Sequence, residues 1–598
     1  MIAQLQKALA QSNLVQSFSG VRTVFGLGPD ISPELAALAE AYAYCYAATL
    51  SPEGHKGQAG KVLLLLGRDP RPTGSAIVEV LARGFIAGAA QAGYALTLID
   101  LGIITTPLAE TAVRALAAHG GVIVTASHNP ITDNGFKFLT GCQSDPGAAP
   151  PGALLAAPTM AKVISAVQQL ASASGSTGSA WVQCMMQATP SAVATALNGW
   201  NNDAARVQAE RAYLDMMGAD WGIAPHCLKP LTLGPVLVDP NGGAGCGIGS
   251  RVLEHFGVRA LETNAELGYP EHGIDTDGID PASGRHMLLR VSRATARHNC
   301  HFAVAFDYDA DRGNLVLPGN AESAIIAPQR VAAFNVALVL ARRSLEHKRG
   351  GQRGPLAIVA SDATSLATHR VADAFGAQVF QVETGEINVV TRMYSLRAEG
   401  YDVPVGVEGA NGGTIFENAT CRDGLQVALC AAQAESVPEI AAEWYSARTR
   451  IPGLEPIAEA GAADSSGCGG PLAMLLASIP VYHNVALKLS APPLSQAAFK
   501  LRLEKEWVNR AWPQLHPLFA RYEFQNFEGT MMATQRGGDE SGAWRVLLQA
   551  PEREAFLFVR GSRTEAGIWR LIIDASDTAG FAALEPAARE MFAAAGRS

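Results

Sequence analysis

Three aspartates at alternate positions, in Phe306-Asp307-Tyr308-Asp309-Ala310-Asp311-Arg312, follow a short apolar run. Carboxylates crowded on one loop repel each other unless a divalent cation neutralises them. Hard oxygen donors favour Mg²⁺ or Mn²⁺ over zinc. An EF-hand is excluded, because Arg312 stands where its glycine belongs and Pro318 where its last glutamate belongs. The plainer alternative, an acidic surface turn, fits poorly with so apolar a strand leading into it.

A second loop, Thr125-Ala126-Ser127-His128-Asn129-Pro130, also follows an apolar run, with Asn134-Gly135-Phe136-Lys137 close behind. A serine at a strand-to-loop junction, flanked by His128 and followed by Lys137, suits nucleophilic or phosphoryl-carrying work. By themselves these residues read equally well as an ordinary turn. The hydrolase nucleophile elbow is excluded, since Thr125 and Asn129 occupy its glycine positions.

Two more loops add recognition groups. Arg560-Gly561-Ser562-Arg563-Thr564-Glu565, with Arg570 beyond, offers hydroxyls and forked guanidinium donors that match a phosphate dianion, a solvated basic turn being the rival reading. In Gly406-Val407-Glu408-Gly409-Ala410-Asn411-Gly412-Gly413-Thr414, glycines allow close approach of a ligand while Glu408 and Asn411 can hydrogen-bond hydroxyls. Nucleotide motifs fail on spacing: Gly60-Lys61 has no glycine at position 55 and is followed by Val62, and Ser250 stands where the third dinucleotide glycine belongs.

The elements carrying these loops repeat a pattern. Val62 to Leu66, Gly121 to Val124, Pro235 to Val238 and Phe302 to Phe306 are strand-like runs that end in polar or Gly/Pro clusters and precede Ala-rich segments of helical period. This predicts repeated α/β units with functional loops at the carboxyl ends of strands. Ala555 to Val559 and Ile568 to Ile573 instead predict a hairpin in a smaller α+β unit. Residues Gly141 to Asp203, poor in charge, read as an insertion: a loosely ordered surface excursion with one or two short helices. No solenoid-type repeat is visible, while a diverged domain-scale α/β repeat stays open.

The 598 residues suffice for three or four domains. Lys+Arg number 46 against 55 Asp+Glu, for a net charge of -9 without blocks of like charge, which argues against nucleic acid as a partner. A small anionic substrate must then meet locally placed basic groups. Nine cysteines without a C-x-x-C pair suggest reduced thiols. With no run of eighteen apolar residues and no signal-like N-terminus, the expectation is a cytoplasmic protein with no membrane partner.

Taken together, the loops resemble the α-D-phosphohexomutase superfamily, which includes phosphoglucomutase and phosphomannomutase. Thr125 to Pro130 is similar to its phosphoserine loop T-A-S-H-N-P, Asp307 to Arg312 to its metal loop D-x-D-x-D-R, Glu408 to Gly412 to its sugar loop, and Arg560 to Thr564 to its phosphate loop R-x-S-x-T. Ser19 to Arg22, Gly67 to Gly74 and Asn134 to Lys137 resemble the family's S-G-x-R, G-R-D-x-R-x-S-G and N-G-x-K. In the sugar loop Val407 precedes Glu408, and Asn411 replaces the usual serine. Ala410-Asn411-Gly412 resembles the acetylglucosamine-phosphate branch, which Gly409 and Gly413 depart from. In the phosphate loop Gly561 and Arg563 replace a proline and a glycine.

The resemblance implies an α/β fold, three related α/β domains followed by a smaller α+β C-terminal domain around a central cleft. The expected boundaries are 1–206 for the phosphoserine domain with its insertion at 141–203, 207–322 for the metal domain, 323–455 for the sugar domain and 456–598 for the phosphate domain. It makes Ser127 the phosphorylated serine. Asp307, Asp309, Asp311 and a phosphoryl oxygen on Ser127 become ligands of Mg²⁺. Arg22, His128, Lys137 and Arg312 surround the reaction, with Lys137 the proton shuttle. Glu408 and Asn411 bind the sugar, and Arg560, Ser562 and Thr564 hold the distant phosphate. The implied activity is a hexose 1-phosphate/6-phosphate mutase working through a hexose 1,6-bisphosphate intermediate or activator. Glucose phosphate is favoured and mannose phosphate is possible. Glucosamine or N-acetylglucosamine phosphate is the alternative substrate, and a catalytically idle sugar-phosphate binder the alternative function. The sequence is silent on oligomeric state.

Overall fold

The computed structural model describes residues 1–597 apart from 51–59, 144–148, 174–175, 199–201, 229–233, 275–277, 281–282, 352–353, 453, 455–469, 491 and 563–566. The apolar run from Val62 has no polar alternation, as a strand covered on both faces requires. It becomes Lys61–Arg68, a central strand paired in parallel with Ala95–Ile103 on one side and Gly120–Val124 on the other. Gly120–Val124 then pairs antiparallel with Asp133–Thr140.

The same connectivity recurs twice. Val236–Asp239 is flanked in parallel by Ala260–Glu262 and Ala303–Phe306, and the latter turns back into antiparallel Gly313–Val316. Ala357–Ser361 is flanked in parallel by Gln378–Val382 and Val405–Glu408, and the latter turns back into Gly413–Phe416. The domain-scale α/β repeat left open by the sequence is therefore present as topology. Its consequence for function is direct. The serine, metal and sugar loops all connect the third strand of a repeat to the fourth, so three copies of one turn converge on one place.

The first sheet also carries Val15–Ser17 and Gly20–Val24 on its outer edge. This addition sets Arg22 opposite Gly135, two residues from Lys137. The fourth sheet is antiparallel throughout, with His483–Ser490, Ile568–Ala575, Arg553–Gly561, Trp544–Ala550 and Arg521–Phe524 in that spatial order. The expected hairpin is thus Arg553–Gly561 with Ile568–Ala575. Helices Gln496–Glu506 and Thr578–Arg597 contribute Phe499, Leu503, Leu584 and Met591 to its core. Three related α/β sheets and a smaller α+β unit accordingly enclose a cleft.

The insertion differs from the expectation. Its described residues form the helices Ala157–Ser172, Ser176–Gln187 and Pro190–Asn198, and Asn202–Trp221 follows. Met160, Val163, Val167 and Leu170, spaced to share one helical face, are buried in the same cluster as Leu38, Tyr42, Leu81 and Phe85. Arg83 fastens the segment by donating to the carbonyls of Met185 and Ala188. A packed helical layer replaces the loose excursion, because low charge in this stretch reflects buried helix faces. Among the described residues one helix, Gly74–Ala92, is long and apolar enough to cross a membrane by length and composition. Half of it is buried inside the fold.

The fourth unit is tied to the third through Asp574, whose Oδ2 accepts the Leu366 N–H at 2.9 Å. Burial pushes this carboxyl up to about 7. The folded protein then holds the proton more tightly than the unfolded chain, so the contribution to stability is full below about pH 4. It is lost as pH rises towards about 7, by about 1.4 kcal/mol per pH unit. Asp574→Asn is expected to lack that slope. Denaturation of both proteins across this range checks it, and parallel pH profiles would contradict the assignment.

Candidate active site

The serine loop is held by a buried arginine. Arg71 is 1% exposed, and its guanidinium donates to the carbonyls of Ser127 and Asn129, each at 2.7 Å, and of Asp133 at 2.8 Å. Its Nε pairs with Asp69 at 3.1 Å, and Asp69 also accepts the Thr125 hydroxyl at 2.7 Å. So many donors converging on loop carbonyls compensate the left-handed backbone of Ser127, φ 51°, a conformation disfavoured for a residue with a Cβ.

From there the Ser127 hydroxyl donates to Asp307 Oδ2 at 2.9 Å. Asp307, Asp309 and Asp311 present oxygens within 4.8 Å of one another, and all three side chains are buried. Asp309 Oδ2 accepts from Thr106 Oγ1 at 2.9 Å and from Lys137 Nζ at 3.1 Å. Thr106 opens the helix Thr106–Ala115, whose cap Thr105 accepts the Leu108 N–H. Asp309 Oδ1 and Asp311 Oδ1 are buried without a hydrogen-bond partner among the described residues. Buried carboxylate oxygens without hydrogen bonds are costly, even with Arg312 Nε 3.6 Å from Asp311 Oδ1, and an all-oxygen set of this kind fits a hard divalent cation.

Charge in the cluster is uneven. Burial, then the Asp311 and Asp309 charges, pushes the Asp307 carboxyl well above the usual range. Burial acts upward on Asp311 as well, but Arg422, Lys137 and Arg312 together hold it below that range. Lys137 is drawn down by burial and more strongly up by Asp309 and Asp311, so it stands as an ammonium. Burial lowers Arg22 to about 10, still protonated at neutral pH. Burial and the nearby Arg312, Arg22 and Arg570 charges push His128 well down, leaving a neutral imidazole.

The sugar loop sits opposite. Glu408 ends its strand with Oε1 accepting the Gly385 N–H at 2.8 Å and Oε2 accepting from Arg422 Nη1 at 2.5 Å. Asn411 turns its carbonyl oxygen onto the Gly413 N–H at 2.9 Å. One lone pair of this oxygen is thereby engaged by the loop itself, and the amide NH₂ remains a donor. The glycines that depart from the acetyl-sugar branch have packing reasons. A Cβ on Gly409 would meet Gln329 Oε1 at 2.4 Å, and one on Gly413 would meet Arg422 Cδ at 2.1 Å. They make room for these neighbours.

On the fourth side, register sets Lys488, Arg570 and Arg560 directly across from one another on three adjacent strands. Like charges opposite each other in a sheet are unfavourable, which suits a row that meets an anion. Arg560 Nη1 donates to the Thr384 carbonyl at 3.0 Å. Thr564 lies outside the described residues.

All these walls face one cleft of about 680 Å³. Its lining includes Arg22, Ser127, His128, Lys137 and Arg312 from the first two sheets. Glu408, Asn411, Arg560 and Ser562 line it from the other two. A chain of net charge -9 thus gathers its basic groups locally.

The comparisons with known proteins agree with this geometry. Residues 16–151 match the family model of phosphoglucomutase/phosphomannomutase α/β/α domain I, and residues 335–445 match that of domain III. The chain is 28% identical over 417 residues to phosphoglucosamine mutase of Frankia casuarinae, covering 69% of this chain and 76% of that one. The chain belongs to the α-D-phosphohexomutase superfamily.

Within that superfamily it is an isomerase, an intramolecular phosphotransferase. Phosphoglucosamine mutase of Streptomyces coelicolor is 28% identical over 412 residues, with the same 69% and 76% coverage. Shorter matches to other proteins of that name cover 66% and 24% of their length. A phosphoglucomutase/phosphomannomutase family protein from Burkholderia thailandensis shares the fold, with a TM-score of 0.61 and 18% identity over 97% of each chain.

Sequence reasoning missed four residues of the phosphohexomutase site, three that line the cleft and one, Arg71, that supports the serine loop from behind. Arg71 sits in a recognisable motif, but its role depends on long-range hydrogen bonds. Lys488 could be found only from strand register. Glu386, in the cleft wall, and Arg422, which joins two loops, lie outside the loops whose composition announces chemistry.

Proposed function

We propose that the protein interconverts the 1- and 6-phosphates of a hexosamine, with glucosamine phosphate the preferred substrate. The observation that carries the mutase reading is the Ser127 hydroxyl hydrogen-bonded to a buried aspartate of the metal loop inside the cleft. Phospho-Ser127 gives its phosphoryl group to the free sugar hydroxyl. The Ser127 Oγ–P bond breaks as the new O–P bond forms, and a bisphosphate results. After the sugar turns end for end, its other phosphate returns to Ser127.

The row of Lys488, Arg570 and Arg560, with Ser562 and Thr564, grips the phosphate that is not reacting and so orients the distant end. Lys137, an ammonium between two aspartates, hands a proton to Ser127 Oγ as the phosphoryl group departs. Arg22 and Arg312 offset charge on the moving group, and neutral His128 accepts the proton of the attacking hydroxyl. Mg²⁺ held by Asp307, Asp309, Asp311 and a phosphoryl oxygen on Ser127 would neutralise charge on the transferring group. A hexose 1,6-bisphosphate primes Ser127.

For the substrate, glucose was the reading of the sugar loop, and the curated relatives favour glucosamine instead, since both long matches are to phosphoglucosamine mutases. The site adds a supporting feature. Glu386 lines the cleft beside Glu408, and its Oε1 has no hydrogen-bond partner among the described residues. Two carboxylates that share one guanidinium, Arg422, still offer acceptors toward the cleft, which suits a 2-ammonium group better than a 2-hydroxyl. Specificity constants for the 1-phosphates of glucosamine, glucose, mannose and N-acetylglucosamine test this. Glucosamine is expected to lead by about tenfold or more. Preference for glucose or mannose would restore the sugar-loop reading, and no interconversion of any of them would favour the idle binder.

A further inference from the structure

The segment Arg422-Asp423-Gly424 connects the last strand of the third repeat to helix Gly424–Ser436, and it lies against two catalytic loops at once. Gly424 N donates to the Ala310 carbonyl at 3.2 Å, in the middle of the metal loop. Asp423 caps the helix by accepting the Gln426 N–H and also takes the Tyr213 hydroxyl at 2.8 Å, so the segment has a rigid base. From this base the Arg422 guanidinium forks. Nη2 donates to Asp311 Oδ2 at 2.6 Å in the metal loop, and Nη1 to Glu408 Oε2 at 2.5 Å in the sugar loop. Nε lies 3.3 Å from Glu386 Oε2, which also accepts the Arg422 N–H at 3.1 Å. Arg422 is 9% exposed, and Gly413 is required for its side chain to cross the loop.

We infer that Arg422 is the positioning residue for both halves of the reaction. By occupying Asp311 Oδ2 together with Lys137, 3.6 Å away, it fixes this carboxylate within the aspartate cluster and leaves Oδ1, 3.6 Å from Arg312 Nε, without a hydrogen bond among the described residues. By occupying Glu408 Oε2, with Gly385 N on Oε1, it fixes the carboxylate facing the sugar. A planar fork can hold two carboxylates in set directions, whereas an ammonium is a single point charge. Loss of a group that orients a metal ligand typically costs about 10- to 100-fold in metal affinity. One substitution, well away from Ser127 in sequence, therefore weakens metal and sugar phosphate together.

The inference rests on the metal-loop and sugar-loop reading above, and the test separates the two. Mn²⁺ binding is followed by electron paramagnetic resonance and glucosamine 6-phosphate binding by calorimetry, on the full chain and on Arg422→Gln and Arg422→Lys. Arg422→Gln is expected to weaken each by roughly tenfold or more. Arg422→Lys, which keeps the charge and guards against a folding defect, is expected to weaken both by several-fold. It should raise KM and the Mg²⁺ requirement while its thermal midpoint stays near that of the parent. Unchanged binding of either ligand in Arg422→Lys, or a one-sided loss in Arg422→Gln, overturns the inference. If the unsubstituted protein itself binds no Mn²⁺, the metal-loop reading fails and takes the inference with it.

Discussion

Ser127→Ala is expected to lower turnover by a factor on the order of 10⁶, the scale of loss when a covalent carrier is removed from a group-transfer site. Sugar-phosphate binding should survive, because the groups proposed to grip it belong to other loops. The Ser127 backbone is held by Arg71 through carbonyls that alanine keeps, so the loop should stay in place. Steady-state mutase assays alongside calorimetric titration with glucosamine 6-phosphate separate the two effects. Full activity in the variant would remove Ser127 as the carrier.

Asp309→Asn is expected to weaken metal binding by about 100-fold or more and to reduce turnover in concert. Asp309 has one oxygen shared by Thr106 and Lys137 and the other buried and unpaired. An amide can keep the contact to Thr106 but carries no charge to balance Lys137 or a cation. Metal titration and the metal dependence of turnover should shift together. Unchanged activity in Asp309→Asn, or full activity of the parent protein in a chelator, would contradict the metal loop.

How much of this was legible in the sequence depended on what each residue type costs. Three alternating aspartates after a strand are unfavourable without a counter-charge, so Asp307, Asp309 and Asp311 stood out, as did Ser127 at a strand end. The alternation of strand and helix also announced α/β units. Their threefold repetition did not show, since strands as short as Val236–Asp239 and Ala357–Ser361 share a pairing order and no spacing. Low charge in the insertion suggests loose order, but it reflects buried helix faces, and Met160, Val163, Val167 and Leu170 carry helical spacing. Lys488 became visible only when register aligned it with Arg570 and Arg560. Arg422 depended on the third repeat docking against the second, a contact that no local pattern encodes. The glycines of the sugar loop have a packing reason that composition does not show: Gln329, Thr364 and Arg422 fill the space beside Gly409 and Gly413.

The central claim is that one phosphoryl group resides on Ser127 and passes to the sugar and back. The most direct measurement is to incubate the protein with Mg²⁺ and ³²P-labelled hexose 1,6-bisphosphate, isolate it and map the label by peptide sequencing. Addition of unlabelled glucosamine 6-phosphate then tests whether the label moves. The account predicts label on the peptide containing Ser127 and its discharge into sugar phosphate on that addition. Label on another residue, no label, or label on Ser127 that the sugar phosphate cannot remove would contradict it.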